Sequence, residues 1–143
     1  MNIIKVKYHN ANIEQIKEIP EGNWIDLRAS VTVELKAGDY SIIPLGVSIK
    51  LPDGYEGHLA PRSSTFKNWG IIQTNSVGVI DNSYCGENDI WGMPVYATRD
   101  TVIKENDRIC QFRIMKVMGD VRIEKVDTME DADRGGFGST GTN

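Results

Sequence analysis

Isoleucine and valine dominate the apolar residues of this chain, with 17 Ile and 11 Val against 5 Leu and 6 Ala. A side chain branched at Cβ loses rotamer freedom in a helix and packs well on a pleated surface, so a mostly β fold is expected. Alternation says where the strands lie. Leu27, Ala29, Val31, Val33 and Leu35 alternate with Arg28, Ser30, Thr32 and Glu34, the period of a strand with one buried face. Val47, Ile49 and Leu51 repeat the pattern, and Pro52-Asp53-Gly54 supplies a turn. Further strands are expected at residues 4–8, 55–59, 77–80, 93–96, 108–114 and 121–126. Turn signals at short intervals suit a sandwich, jelly roll or barrel. Helix evidence is confined to one turn over residues 65–69, capped by Ser63 or Ser64, and a hint at Ile13 and Ile16.

A chain of 143 residues suffices for one core. Its formal charge of −4 gives no electrostatic footprint for coating nucleic acid or an anionic membrane. No apolar run approaches the roughly 18 residues of a spanning helix, and the N-terminus lacks a signal-peptide core, so a soluble, cytoplasmic chain is expected. Cys85 and Cys110 lack metal-site spacing and only His9 and His58 accompany them, so neither a zinc site nor a disulfide is expected. The tail, residues 134–143, carries four of the fourteen glycines and one large apolar group, Phe137. Core burial cannot offset the entropy of ordering such a segment.

Four segments hold more polar and glycine content than a β core requires. In residues 60–64 (APRSS), Arg62 is a fork-shaped donor for phosphate oxygens, and Ser63 and Ser64 stand where a short helix begins. Residues 75–87 place Asn75, Asp81 and Tyr84 around one hairpin if 77–80 is a strand and Asn82-Ser83 a turn. Residues 106–112 read as core at Ile109 and Phe112 and as polar at Asp107, Arg108 and Gln111, with Asp107-Arg108 a structural ion pair on the simplest reading. The tail offers the hydroxyls of Ser139 and Thr140 and unencumbered N–H groups that suit an anion. No GxxxxGK[ST] occurs, so a P-loop is excluded.

The order of these segments says more than any one of them. WIDLRAS at 24–30, APRSS at 60–64, GVIDNSYCGE at 78–87, NDRICQF at 106–112 and RGGFGSTG at 134–141 together resemble the five ordered motifs of the homotrimeric dUTPases, most closely those of low-GC Gram-positive bacteria and their phages. The resemblance implies an all-β, jelly-roll-like distorted β-barrel over residues 1–126. It implies a homotrimer in which a flexible arm, 127–143, is exchanged to complete a neighbouring site. It implies Mg²⁺-assisted hydrolysis of dUTP to dUMP and pyrophosphate, which limits uracil in DNA and supplies dUMP for thymidylate synthesis. Motifs one, two and four would come from one subunit, the third from a neighbour and the tail from the remaining one.

Carried onto this chain, the resemblance gives Asp81 the role of activating the attacking water and Tyr84 that of packing on the deoxyribose and excluding a 2′-hydroxyl. Asn75 and Val79 belong to the hairpin that pairs with uracil. Arg62, Ser63, Ser64 and Gln111 match phosphate contacts, and Asp26 and Asp107 match acids that support metal-bound water and the phosphate-binding residues. Arg134, Phe137, Gly138, Ser139 and Thr140 match the tail, with Phe137 as the lid over the base and the two hydroxyls on the γ-phosphate. Mg²⁺ would be held mainly by substrate phosphates, without a direct protein ligand.

Ser83, Cys85 and Asn106 depart from the usual motif residues, and Asn106, in place of a glycine, suggests a left-handed turn. The Arg134–Phe137 spacing is two residues shorter than is common in the family, which makes Trp91 a second lid candidate beside its plainer role in the core or a trimer contact. Rival readings are a dCTP deaminase of the same fold and a dUTP-sensing trimer that binds a regulatory protein, especially if phage-encoded.

Overall fold

The computed structural model describes residues 1–18 and 22–138. Its strands are β1 (Lys5–Tyr8), β2 (Ile25–Arg28), β3 (Val33–Leu35), β4 (Tyr40–Pro44), β5 (Val47–Lys50), β6 (Tyr55–Pro61), β7 (Ile71–Gln73), β8 (Gly78–Ile80), β9 (Gly92–Ala97), β10 (Thr101–Ile103) and β11 (Arg108–Lys116), with one helix, α1 (Thr65–Trp69), between β6 and β7. All strand pairs are antiparallel. A four-stranded sheet runs β2-β11-β6-β8, a three-stranded sheet runs β4-β9-β7, and the pairs β1-β5 and β3-β10 complete a jelly-roll-like barrel.

The core lies between the sheets, filled by Leu27, Ile43, Leu59, Trp91, Met93 and Phe112. Trp91 meets Phe112 edge to face at 5.1 Å between ring centroids. Gly57 makes room for it, since a Cβ there would come within 2.9 Å of the Trp91 ring. Helix α1 stops at Gly70, whose left-handed backbone (φ 64°) lets its N–H return to the Phe66 carbonyl.

Several expectations change here. The alternation from Leu27 to Leu35 is two strands, because the chain leaves β11 after Arg28 and rejoins a different partner, β10, at Val33, and Val31 between them is exposed. Residues 121–126 form no strand, and Val121, Ile123 and Val126 stay exposed, with no ladder for them among the described residues. The Ile13/Ile16 segment is irregular, though Ile13 is buried. Asn106 is left-handed at φ 77°, as its motif position suggested. Among the described residues no helix is long and apolar enough to cross a membrane.

Candidate active site

Strand register draws motif residues into line. In β11, Gln111 lies opposite Asp26 of β2 on one side and Ala60 of β6 on the other, so three sequence-distant motifs form one row across the sheet. Arg62 follows the end of β6. Its Nε lies 3.1 Å from Asp26 Oδ1, its Nη1 donates to the Arg108 carbonyl at 3.2 Å, and its backbone N–H donates to Thr65 Oγ1 at 2.8 Å. The buried Thr65 hydroxyl donates in turn to the Ile109 carbonyl at 2.9 Å, stapling the start of α1 to β11. Gln111 Nε2 donates to the Pro61 carbonyl at 3.1 Å. Ser63 is exposed, and Ser64, at the N-cap, makes no side-chain capping bond.

Arg108 Nη1 reaches the other oxygen of Asp26 at 3.2 Å. Two guanidiniums around one carboxylate leave a net positive cluster at the barrel surface, the charge a phosphate chain requires. The pairing corrects the expected Asp107-Arg108 ion pair. Asp107 instead caps the turn before β11, accepting from the Lys104 N–H at 2.8 Å, and Arg108, left out of the expected site residues, joins Arg62 on Asp26. Its signal was position: at the start of β11 it lies opposite Arg28, two residues from Asp26 along β2.

Asp81 leaves the end of β8 exposed. Its Oδ2 accepts from both the hydroxyl and the N–H of Ser83, the latter at 2.9 Å. These bonds favour the ionised form and hold the carboxyl below the usual carboxylate range, the side-chain bond most strongly. Asn82 Nδ2 anchors the turn on the Pro52 and Tyr55 carbonyls at 2.9 and 2.8 Å. Tyr84 presents an exposed ring whose hydroxyl donates to the Ile90 carbonyl at 3.1 Å. The expected hairpin is corrected: β8 pairs with β6 and β7 with β9, so residues 74–77 carry the chain from one sheet to the other, and among the described residues no strand after Ser83 pairs with β8.

Within one chain these groups stay apart. Ile80 lies opposite Gly57 near the start of β6, whereas Arg62 follows its end. Those positions are five residues apart along the chain, about 17 Å at the usual rise. Asp81 and Arg62 of the same chain therefore stand at opposite ends of β6. Trp91 is 1% exposed in the core, so it is not placed to cover a base. Phe137 is fully exposed, beside left-handed Gly138, and Arg134 Nη1 donates to the neighbouring Gly135 carbonyl at 3.3 Å. Ser139 and Thr140 lie outside the described residues.

The donor set bears on a metal. No group of three or more His, Cys, Asp or Glu is assembled among the described residues, and both oxygens of Asp26 are engaged by arginines. Such a site fits Mg²⁺ held by substrate phosphates and water, the mode in which this ion dehydrates least.

The model of the dUTPase family matches residues 12–141. The chain belongs to the dUTPase family. The SPbeta prophage-derived deoxyuridine 5'-triphosphate nucleotidohydrolase YosS of Bacillus subtilis (strain 168) is 56% identical over 139 residues, 97% of this chain and 98% of that one. The deoxyuridine 5'-triphosphate nucleotidohydrolase of Maricaulis maris (strain MCS10) is 37% identical over 131 residues, 87% and 85% of the two chains. Among solved structures, the Staphylococcus bacteriophage 80alpha dUTPase with dUPNHPP aligns over 99% of this chain and all of its own at 19% identity and a TM-score of 0.79. A mutant dUTPase from phage phi11 of S. aureus, described with coordination of a structural Mg(II) ion, aligns over 91% of this chain at 18% identity and a TM-score of 0.76. The dUTPase fold and the hydrolysis of dUTP are thereby this chain's own.

Proposed function

We propose that this dUTPase works as a homotrimer whose every active site is built from three copies, and that the site directs an Asp81-activated water at the α-phosphorus of dUTP. The observation that carries this reading is the separation of Asp81 from Arg62 along β6, which is too large for one chain to serve both the α-phosphorus and the phosphate contacts. A second copy bringing its Asp81 loop to this chain's Asp26–Arg62–Gln111 row removes the discrepancy. The exposed Val121, Ile123 and Val126, patterned for a strand but without a ladder among the described residues, support an arm over residues 127–143 that leaves its own barrel, residues 1–126, to complete a neighbour's site.

In this reading the ionised Asp81 accepts a proton from water while the oxygen attacks the α-phosphorus; the bond to the bridging oxygen breaks, and pyrophosphate leaves dUMP behind. Arg62, held by Asp26, and the hydroxyls of Ser63 and Ser64 receive the phosphates, with Gln111 beside them and Ser139, Thr140 and Arg134 of the tail toward the γ-phosphate. Tyr84 packs on the deoxyribose, Asn75 and Val79 flank the base, and Phe137 with Gly138 closes over it. Bound Mg²⁺ would offset a triphosphate charge of about −4 and fix its geometry, with Asp26 reaching it through water. Hydrolysis in ¹⁸O-labelled water is the test: label in dUMP is expected, and label in pyrophosphate would overturn attack at the α-phosphorus.

A regulatory reading has one supporting observation, the 80alpha dUTPase, described as controlling transfer of virulence genes by a proto-oncogenic G protein-like mechanism. Pull-down of a host protein in the presence of dUTP but not in its absence would support it for this chain. The deaminase alternative draws no support from the family or the relatives.

A further inference from the structure

Gln73 ends β7 with its side chain turned into the core, where it is 4% exposed. Its Nε2 donates twice, to the Leu59 carbonyl of β6 at 3.0 Å and to Asn75 Oδ1 at 2.9 Å. The Leu59 carbonyl can only accept, so the amide nitrogen must occupy this position; turned over, the carboxamide would set oxygen against oxygen. The consequence is a Gln73 Oε1 buried with no hydrogen-bond partner among the described residues, a cost accepted alongside the two bonds that Nε2 makes. Something other than packing favours an amide here.

The bond to Asn75 fixes a second amide. With Oδ1 committed to Gln73, Asn75 presents Nδ2, which can only donate, on its other side. That nitrogen lies beside Gly78 at the start of β8, where a Cβ would sit 3.5 Å from it. The intervening backbone is held as well: Ser76 is left-handed at φ 59°, its N–H returns to the Gln73 carbonyl at 3.3 Å, and the Val77 N–H donates to the Asn75 carbonyl at 2.6 Å. Asn75 itself is exposed.

We infer that Gln73 is a positioning residue for base selection, which through its bond to Asn75 holds a donor toward the base that a pyrimidine carbonyl accepts and the exocyclic amine of cytosine does not. Gln73 touches no substrate. The inference rests on the reading that Asn75 and Val79 flank the base, and adds that the polarity of this contact is set from inside the core.

Steady-state constants for dUTP and dCTP with Gln73→Met, Asn75→Ala and the double variant test it. Gln73→Met should raise KM for dUTP about tenfold, the worth of one directed hydrogen bond, keep kcat within about twofold and lower the preference for dUTP over dCTP in step. In the Asn75→Ala background the same substitution should change nothing further, because its effect passes through Asn75. A wild-type KM in Gln73→Met, or a full additional effect on top of Asn75→Ala, overturns the inference. A wild-type KM in Asn75→Ala overturns the base-site reading instead. Should thermal unfolding show that Gln73→Met does not fold, the exposed variant Asn75→Asp keeps the acceptor for Gln73 and exchanges the donor for an oxygen; it should lose the dUTP preference, and keeping it overturns the inference.

Discussion

Nε of Arg62 lies 3.1 Å from Oδ1 of Asp26, a contact between residues 36 positions apart in sequence that strand register makes into neighbours. Because Arg108 takes the other oxygen, the carboxylate sets the aim of both guanidiniums. Asp26→Asn keeps one acceptor, removes the charge and turns an N–H₂ toward one arginine. KM for dUTP is expected to rise about tenfold, with a smaller fall in kcat, as steady-state kinetics will read. An unchanged KM would show that Arg62 is oriented without Asp26.

The fully buried Thr65 hydroxyl bridges the Arg62 N–H and the Ile109 carbonyl. Thr65→Val has the same shape but leaves the buried Ile109 carbonyl and the half-buried Arg62 N–H unpaired, a loss of about 2–4 kcal/mol in denaturant unfolding. Thr65→Ser, which keeps the hydroxyl, should lose well under half of that. A valine variant with the wild-type midpoint would mean that water satisfies both groups.

The contrast between these two sites shows what the sequence could carry. The single helical turn over 65–69 was legible because turn residues and an N-cap position mark it, whereas Arg62 and Asp81 stood out only through the order and spacing of the five motifs. Strands β4, β7 and β10 were missed. Ile42-Ile43 breaks the alternation in β4, and three residues in each of the others are too few to show a period. The partner of Arg108 was misassigned because sequence adjacency favours Asp107, whereas that carboxylate is taken by the turn before β11 and Asp26 on the neighbouring β2 receives the guanidinium. Gln73 left no signal at all, since a polar residue ending an apolar pair reads as surface until the sheet crossing at 74–77 folds it inward.

Ser83 sets the titration of Asp81. Both hydrogen bonds favour the carboxylate, so its pKa lies below the ordinary value and the base is ionised at every pH above that; removing the bonds must move it up. Ser83→Ala eliminates the dominant side-chain bond and keeps the backbone one. In a ¹³C titration of the Asp81 carboxyl the variant's midpoint should lie above that of the wild type, still within the carboxylate range. A midpoint that stays put, or falls, would show that the hydroxyl does not contact the ionised form.

The separation of Asp81 and Arg62 on β6 calls for a test in which no single chain is competent. Asp81→Asn is expected to lower kcat by about two orders of magnitude or more, what a positioned base contributes. A chain ending at Asp133 lacks Phe137 and the tail hydroxyls and should be nearly as poor. Mixed in equal amounts and allowed to reassemble at random, the two give mixed rings in about three-quarters of trimers. Going round a threefold ring, each mixed trimer holds one site that joins an intact Asp81 to an intact tail from another subunit. Recovered activity should then be about a quarter of wild type. If Asp81 and the tail served a site from the same subunit, no mixed site would be complete, so activity no higher than that of the separate mutants refutes the shared site. Full activity in the truncated chain alone would show that closure over the base does not need Phe137, and, with Trp91 1% exposed in the core, would leave the base without an aromatic lid from either candidate.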